Sequence, residues 1–288
     1  MEREEGAIYA RGGRRKDDRE RQDVVNGAEL RLGRLFNRES GRTFIVAIDH
    51  GLAIGVPPGA EDAVGTVDSI ISYNPDAIFV SPGLLSRAGH LFAFRGAPEP
   101  ILRIDFLLID ERLKYLGEQH RMLCSPQDAV NLGAEAVAMF LVFGVERGEM
   151  FADNARAVTQ AAREAHRAGL PLIVETVPWG SRINDRRDPD LLAFGCRMAA
   201  ELGADAIKTE YTGDPGTMAS VVEGCPAPVL VLGGPKIDSE NDLIESARGA
   251  MTAGAKGVIY GRNIWQAADP SRISEAVRDV VHNRSAVR

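Results

Sequence analysis

Short apolar or β-branched runs alternate with longer segments of helical period through most of this 288-residue chain, and no other feature restricts its fold as strongly. Eight such runs can be read: Phe44 to Asp49, Ala77 to Ser81, Ile101 to Asp105, Ala136 to Phe143, Leu172 to Val177, Ala206 to Thr209, Val229 to Leu232 and Val258 to Gly261. Strands separated by helices pair in parallel, because each helical crossover returns the chain to the same end of the sheet. Eight of them predict closure into an α/β barrel of the (β/α)8, or TIM-barrel, type. A doubly wound open sheet is the main alternative, but it normally carries G-x-G-x-x-G after its first strand, where this chain has Asp49-His50-Gly51.

Local punctuation agrees with the alternation. Leu132-Gly133-Ala134-Glu135-Ala136-Val137, Leu202-Gly203-Ala204-Asp205-Ala206-Ile207 and Ala253-Gly254-Ala255-Lys256-Gly257-Val258 repeat one device: a helix ending on a glycine, then a strand. Between strands, Asn154 to Ala165 places Ala and Val on one face and charge on the other, as a helix covering a barrel requires. Residues 1–29 are polar and without apolar periodicity, so they read as an arm that is mobile or an oligomer contact, and residues 30–288 as the barrel domain.

Bulk properties exclude several classes of function. A formal net charge of −7 argues against nucleic acid as the main partner. The longest apolar run, Ala136 to Val145, is too short to span a bilayer, and the N-terminus lacks the apolar stretch of a signal peptide. A cytoplasmic location without membrane contact is therefore expected. Cys124, Cys196 and Cys225 are far apart and odd in number, which suggests buried thiols rather than a disulfide framework or a metal site.

Within the sixth run, Gly203-Ala204-Asp205-Ala206-Ile207-Lys208-Thr209-Glu210-Tyr211, a lysine interrupts an apolar strand. Burial penalises an ammonium, and it is by such burial that a lysine becomes a neutral nucleophile toward carbonyls. Lys208 is thus a candidate for Schiff-base chemistry. The structural alternatives are an amine snorkelling from the barrel rim or an ion pair with Asp49 or Glu175.

Catalytic groups of such barrels lie at the carboxyl ends of the strands. There the sequence offers Asp49-His50, Glu175 leading to Pro178-Trp179-Gly180, Gly233-Gly234-Pro235-Lys236 and Gly261-Arg262-Asn263. Glycines ending strands seven and eight allow backbone N–H groups to approach an anion, and the usual phosphate pocket of a barrel lies at that place. Gly233, Gly234, Gly261 and Arg262 are the candidate phosphate ligands, although the glycines could equally serve tight turns. Asp49 and Glu175 are candidate acid/base groups, and His50, Tyr211 and Lys236 candidate substrate contacts. Neighbouring strand residues face opposite sides, so Asp49 and His50 are not expected to reach one substrate together.

These motifs resemble the class I, Schiff-base aldolases of the archaeal fructose-bisphosphate type, within the wider DeoC/LacD-like group. The resemblance runs from about Leu30 to Pro270 and is carried by Gly203 to Lys208, Tyr211-Thr212-Gly213-Asp214-Pro215, Gly233 to Lys236 and Gly261 to Gln266. It implies a (β/α)8 barrel, a homo-oligomer that is often a decamer, a Schiff-base lysine at Lys208, the first-strand aspartate at Asp49, and phosphate on Gly233, Gly234, Gly261 and Arg262. No metal or cofactor is implied. In those aldolases a tyrosine preceding a Pro-Arg-Gly turn on the fifth strand shuttles protons; the matching stretch here is Glu175-Thr176-Val177-Pro178-Trp179-Gly180, which puts Val177 in the tyrosine's place.

A second branch is similar in the first half of the chain, through Arg31 to Asn37, Asp49-His50-Gly51 and Asp128 to Leu132. It is the thiolase that passes an acetyl group from 3-hydroxy-5-phosphonooxypentane-2,4-dione to coenzyme A, and it also uses a Schiff-base lysine without the tyrosine. Three expectations follow: a class I aldolase acting on a phosphorylated keto sugar or ketone phosphate, a thiolase with coenzyme A as co-substrate, or a non-catalytic binder of sugar phosphates.

Overall fold

The computed structural model describes residues 26–237 and 239–283. In chain order the strands are β1 (Thr43–Ala47), β2 (Ala77–Val80), β3 (Glu99–Arg103), β4 (Asp105–Leu107), β5 (His120–Met122), β6 (Ala136–Phe143), β7 (Leu172–Pro178), β8 (Ala206–Thr209), β9 (Val229–Leu232) and β10 (Gly257–Tyr260). Eight of them close in parallel into a barrel of order β1-β10-β9-β8-β7-β6-β3-β2, while β4 and β5 form a separate antiparallel pair.

Helices are α1 (Gly27–Arg34), α2 (Gly51–Ile54), α3 (Ala63–Ser72), α4 (Pro82–Ala88), α5 (Pro126–Asn131), α6 (Gly148–Arg167), α7 (Pro189–Glu201), α8 (Pro215–Glu223), α9 (Glu240–Thr252), α10 (Arg262–Trp265) and α11 (Pro270–His282). Their starts follow from sequence. Asp188, Asp214 and Asp269 accept from backbone N–H groups of the first turns of α7, α8 and α11, and in each of these helices proline occupies the first turn, where its missing N–H costs nothing. Of the glycines that end helices, Gly203 takes φ +106°, which a side chain would resist.

Two apolar layers hold the structure. Val46, Ile78, Leu102, Val137, Val174, Ile207 and Val258 face outward and bury against the helices, whereas Ile45, Phe79, Ile101, Ala138, Ile173, Ala206, Leu230 and Ile259 fill the interior. Alternation along each strand produces this division. Each large side chain so buried contributes roughly 1.5–3 kcal/mol.

The predicted barrel and its eight strands are present, with boundaries shifted by a residue or two. One run is corrected: the third strand ends at Arg103, and Asp105 starts the β4–β5 hairpin. That hairpin has no separate signature, because its strands are only three residues long. The arm assigned to residues 1–29 falls outside the described residues except at its end, where Asn26 and Glu29 form a capping box that begins α1. Leu35, Leu32 and Phe36 then pack on the interior layer of the barrel. Of the three cysteines only Cys196 is fully buried, and all three are free. No helix among the described residues is long and apolar enough to cross a membrane.

Candidate active site

At the carboxyl ends of the strands the inward rows change from apolar to charged side chains. Ile101 is followed two residues later by Arg103, Ile173 by Glu175, and Ala206 by Lys208, so a period of two brings all three charges to the interior. Register fixes their contacts. Glu175 on β7 is the parallel partner of Lys208 on β8, and Lys208 Nζ lies 2.9 Å from Glu175 Oε2.

Arg103 joins this pair to the first strand. Its Nε donates to Asp49 Oδ2 at 2.9 Å and one Nη donates to Glu175 Oε2, while the guanidinium stacks 3.9 Å from the centroid of the Phe140 ring. Two cations and two carboxylates thereby form a continuous chain, Asp49–Arg103–Glu175–Lys208, almost closed to solvent. Burial alone would raise the Asp49 carboxyl, but Arg103 and Lys208 outweigh it and hold the group below the ordinary carboxylate range. Glu175 behaves alike: burial raises it, and Lys208 and Arg103 more than reverse the effect.

Asp49 and His50 both line the cavity, contrary to the expectation from strand alternation. The strand stops at Ala47, and His50 has φ −59° and ψ −26° as the turn into α2 begins, so the period of two no longer applies. Burial lowers His50 from 6.5 to about 4 against the pull of Asp49, leaving a neutral ring packed edge-on against Trp265.

The glycine-rich ends of β9 and β10 meet across one wall. Asn263 ties them together: its Nδ2 donates to the carbonyls of Gly233 and Pro235, and its Oδ1 accepts from the N–H of Ile237. A side chain at Gly233 would lie 2.9 Å from the Tyr260 ring, and Gly234 has φ +64°, so glycine is demanded at both. Arg262 reaches over this turn. One Nη lies 3.4 Å from the Gly234 carbonyl, and its buried Nε has no partner. An anion held here would supply the missing acceptor.

These groups line one cavity of about 340 Å³. Lys208, Asp49, Glu175, His50, Gly233, Gly234, Gly261 and Arg262 all lie on it. Tyr211 and Lys236 do not. Alternation past Lys208 turns Glu210 inward and sends Tyr211 toward Gly249 on α9, and Lys236 is exposed beyond the Gly233-Gly234 turn. Val177, at the position of the expected tyrosine, lines the cavity and offers no proton.

Sequence reasoning missed Arg103, Arg186 and Glu210. Arg103 carried the same signal as Lys208, a charge within the apolar stretch Pro100-Ile101-Leu102-Arg103-Ile104. Arg186 lies in a loop, and only the fold brings it within 3.1 Å of Glu210, whose carboxyl burial raises.

Known proteins resemble this chain in sequence and in fold. The profile of the DeoC/LacD family aldolases matches residues 43–267. An uncharacterized aldolase of Saccharolobus solfataricus is 33% identical over 91% of this chain and 96% of its own length. The class 1 fructose-bisphosphate aldolase of Thermoproteus tenax is 34% identical over 86% and 92%, and the 2-amino-4,5-dihydroxy-6-oxo-7-(phosphonooxy)heptanoate synthase of Streptomyces griseus is 31% identical over 88% and 90%. Among solved structures, an archaeal fructose-1,6-bisphosphate aldolase, with its catalytic lysine covalently bound to the carbinolamine intermediate of the substrate, superposes with a TM-score of 0.77 at 29% identity, covering 88% of this chain and 98% of that one. By sequence and by fold, the chain belongs to the DeoC/LacD family of aldolases.

Proposed function

We propose that this aldolase forms an imine between Lys208 and the carbonyl carbon of a ketone phosphate, then makes or breaks the neighbouring carbon–carbon bond. The observation that carries the reading is the position of Lys208: a buried amine ion-paired with a carboxylate, on the same cavity as a glycine and arginine cradle with an unpartnered guanidinium nitrogen. Relatives support a phosphorylated donor, since fructose bisphosphate and a 6-oxo-7-(phosphonooxy) compound both carry a ketone beside a phosphorylated carbon.

In this reading the phosphate takes N–H donors from the turns at Gly233, Gly234 and Gly261 and the guanidinium of Arg262. Glu175 accepts a proton from Lys208, and the freed amine adds to the carbonyl to give a carbinolamine. Glu175 returns the proton to the departing hydroxyl, and water leaves. A carboxylate, Asp49 or Glu175, removes the proton of the hydroxyl on the carbon β to the iminium; the bond between the α and β carbons breaks, the β carbon leaves as an aldehyde, and the electron pair enters the iminium, giving an enamine. Protonation and hydrolysis release the second product. With Val177 in the tyrosine's place, these carboxylates take over the proton transfers. The iminium is itself the electron sink, so the proposal includes no metal and no cofactor, and activity should survive chelators.

Borohydride reduction with dihydroxyacetone phosphate, followed by peptide mass mapping, tests this directly. A reduced adduct on Lys208, absent from Lys208→Met, is expected; an adduct elsewhere, or none, would sink the reading. The thiolase alternative draws on the valine at 177, and it would replace this one if a phosphorylated diketone and coenzyme A yielded a thioester. The proposal also includes a homo-oligomer, for which exposed Leu113, Tyr115 and Leu116 supply apolar surface, and light scattering reads its size.

A further inference from the structure

The two ends of the active-site cavity differ in chemistry, and the barrel's strand order shows why. In a ring of order β1-β10-β9-β8-β7-β6-β3-β2, β6 stands opposite β10 and β3 opposite β9. The glycine cradle and Arg262 follow β9 and β10. The far wall comes from the hairpin after β3, from β6 and from the end of β7, and it consists of Phe106, Leu107, Ile109, Phe140, Val177 and Trp179. Leu107 and Val177 belong to one buried cluster with Val142 and Val145, and Phe140 and Trp179 pack against it. Lys208 on β8 and Asp49 after β1 flank the passage between the two ends.

Among the described residues that line the cavity, the cations other than Lys208 and Arg103 lie on the cradle side. Arg186 pairs with Glu210, which follows β8, and its charge is felt by Arg262. Arg103 does lie on β3, but it is 2% exposed and paired with Asp49 and Glu175, and its remaining Nη, which has no hydrogen-bond partner, lies 3.7 Å from the buried carboxylate of Asp105. The far wall contributes two carboxylates instead. Asp105 is buried and accepts from His120 and from the N–H of Phe140, and Glu111 is exposed. An anion arriving at that wall would lose its hydration without gaining a partner.

We propose that the wall formed by Phe106, Leu107, Ile109, Phe140, Val177 and Trp179 is the acceptor subsite, and that the second substrate is an uncharged aldehyde with an aliphatic or aromatic side chain. The inference rests on the reading of Lys208 as the imine-forming lysine with the donor phosphate on the cradle. In the synthetic direction the enamine carbon attacks the aldehyde carbon, one carbon–carbon bond forms, and the aldehyde oxygen takes a proton from Glu175 or Asp49. The water lost when the imine formed then returns in its hydrolysis, so donor and aldehyde atoms are all retained in a β-hydroxy ketone phosphate.

The test uses the purified full-length protein and dihydroxyacetone phosphate as donor. Borohydride trapping comes first, to establish the adduct on Lys208. Aldol formation is then measured with 3-methylbutanal, phenylacetaldehyde, glyceraldehyde 3-phosphate and succinic semialdehyde. An apolar aldehyde should be preferred over both anionic ones in kcat/KM by ~100-fold or more, the scale at which an apolar pocket discriminates. Trp179→Arg, and separately Ile109→Arg on the more exposed rim, should shift preference toward glyceraldehyde 3-phosphate. An adduct on Lys208 combined with preference for an anionic aldehyde, or with no turnover of either apolar one, overturns the acceptor assignment and leaves the imine reading standing. Absence of the adduct overturns both.

Discussion

Lys208 Nζ stands 2.9 Å from Glu175 Oε2 because the two residues are register partners on adjacent parallel strands, each two positions beyond an apolar side chain that faces the barrel interior. The same carboxylate oxygen accepts from Arg103, so the carboxylate beside the lysine is itself fixed in place by a second cation. Valine at 177 leaves this carboxylate as the titratable group in direct contact with the amine.

Glu175→Gln keeps the shape of the side chain and removes its ability to take a proton. We expect kcat to fall by ~10²–10⁴-fold, the usual scale for loss of a positioned acid/base. A steady-state assay of aldol cleavage measures it, with a circular dichroism spectrum to show that the fold is retained. A decrease of less than tenfold would assign the proton transfers elsewhere.

Arg103→Met should be costly to the fold itself. It strands the buried carboxylates of Asp49 and Glu175 without their shared partner, and breaking a buried ion pair from one side costs about 3–5 kcal/mol. Urea denaturation should show a lower midpoint at unchanged slope, and Arg103→Lys should recover part of the loss through its single charge.

Arg262→Gln should act on the phosphate alone. A charge-assisted hydrogen bond is worth about 1.5–3 kcal/mol, so KM for a phosphorylated ketone is expected to rise by ~10- to 100-fold. KM for the matching unphosphorylated ketone should change little. Equal effects on the two would place the phosphate elsewhere.

Acid should destabilise the barrel in two stages. His50 is lowered from 6.5 to about 4, so between those values the unfolded chain binds a proton that the folded one refuses. Stability is therefore fully present above pH 6.5 and falls as pH drops toward 4, by on the order of 3 kcal/mol. Asp49 and Glu175, both held below the ordinary carboxylate range, add a further loss only below about pH 4. Denaturation midpoints at pH 7 and pH 5 should differ for the wild type and converge for His50→Gln.

Some of the site was legible because a charge inside an apolar strand stands out wherever it occurs. Lys208 and Glu175 were found in this way, and Arg103, in Pro100-Ile101-Leu102-Arg103-Ile104, carried an identical mark. The glycines of the cradle were legible from their place after the seventh and eighth runs. Tyr211 was misplaced because the alternation that brings Lys208 inward sends it toward α9, and His50 because the strand ends before it does. The apolar far wall had no readable sign, since it is assembled from a hairpin, a strand and a turn that are distant in the chain.

What the sequence by itself determined was the kind of structure and the presence of charges inside apolar strands. Periodicity is a local property: alternation along a strand and glycine after a helix can be read residue by residue, and eight repeats of them imply a ring. What only the tertiary structure decided was the company each charge keeps. Closure sets β10 beside β1 and turns β3 and β6 to face β9 and β10, which joins Asp49, Arg103, Glu175 and Lys208 into one chain and gives the cavity a cationic end and an apolar end. Those relations depend on register and on position around the ring, and neither exists until the barrel closes.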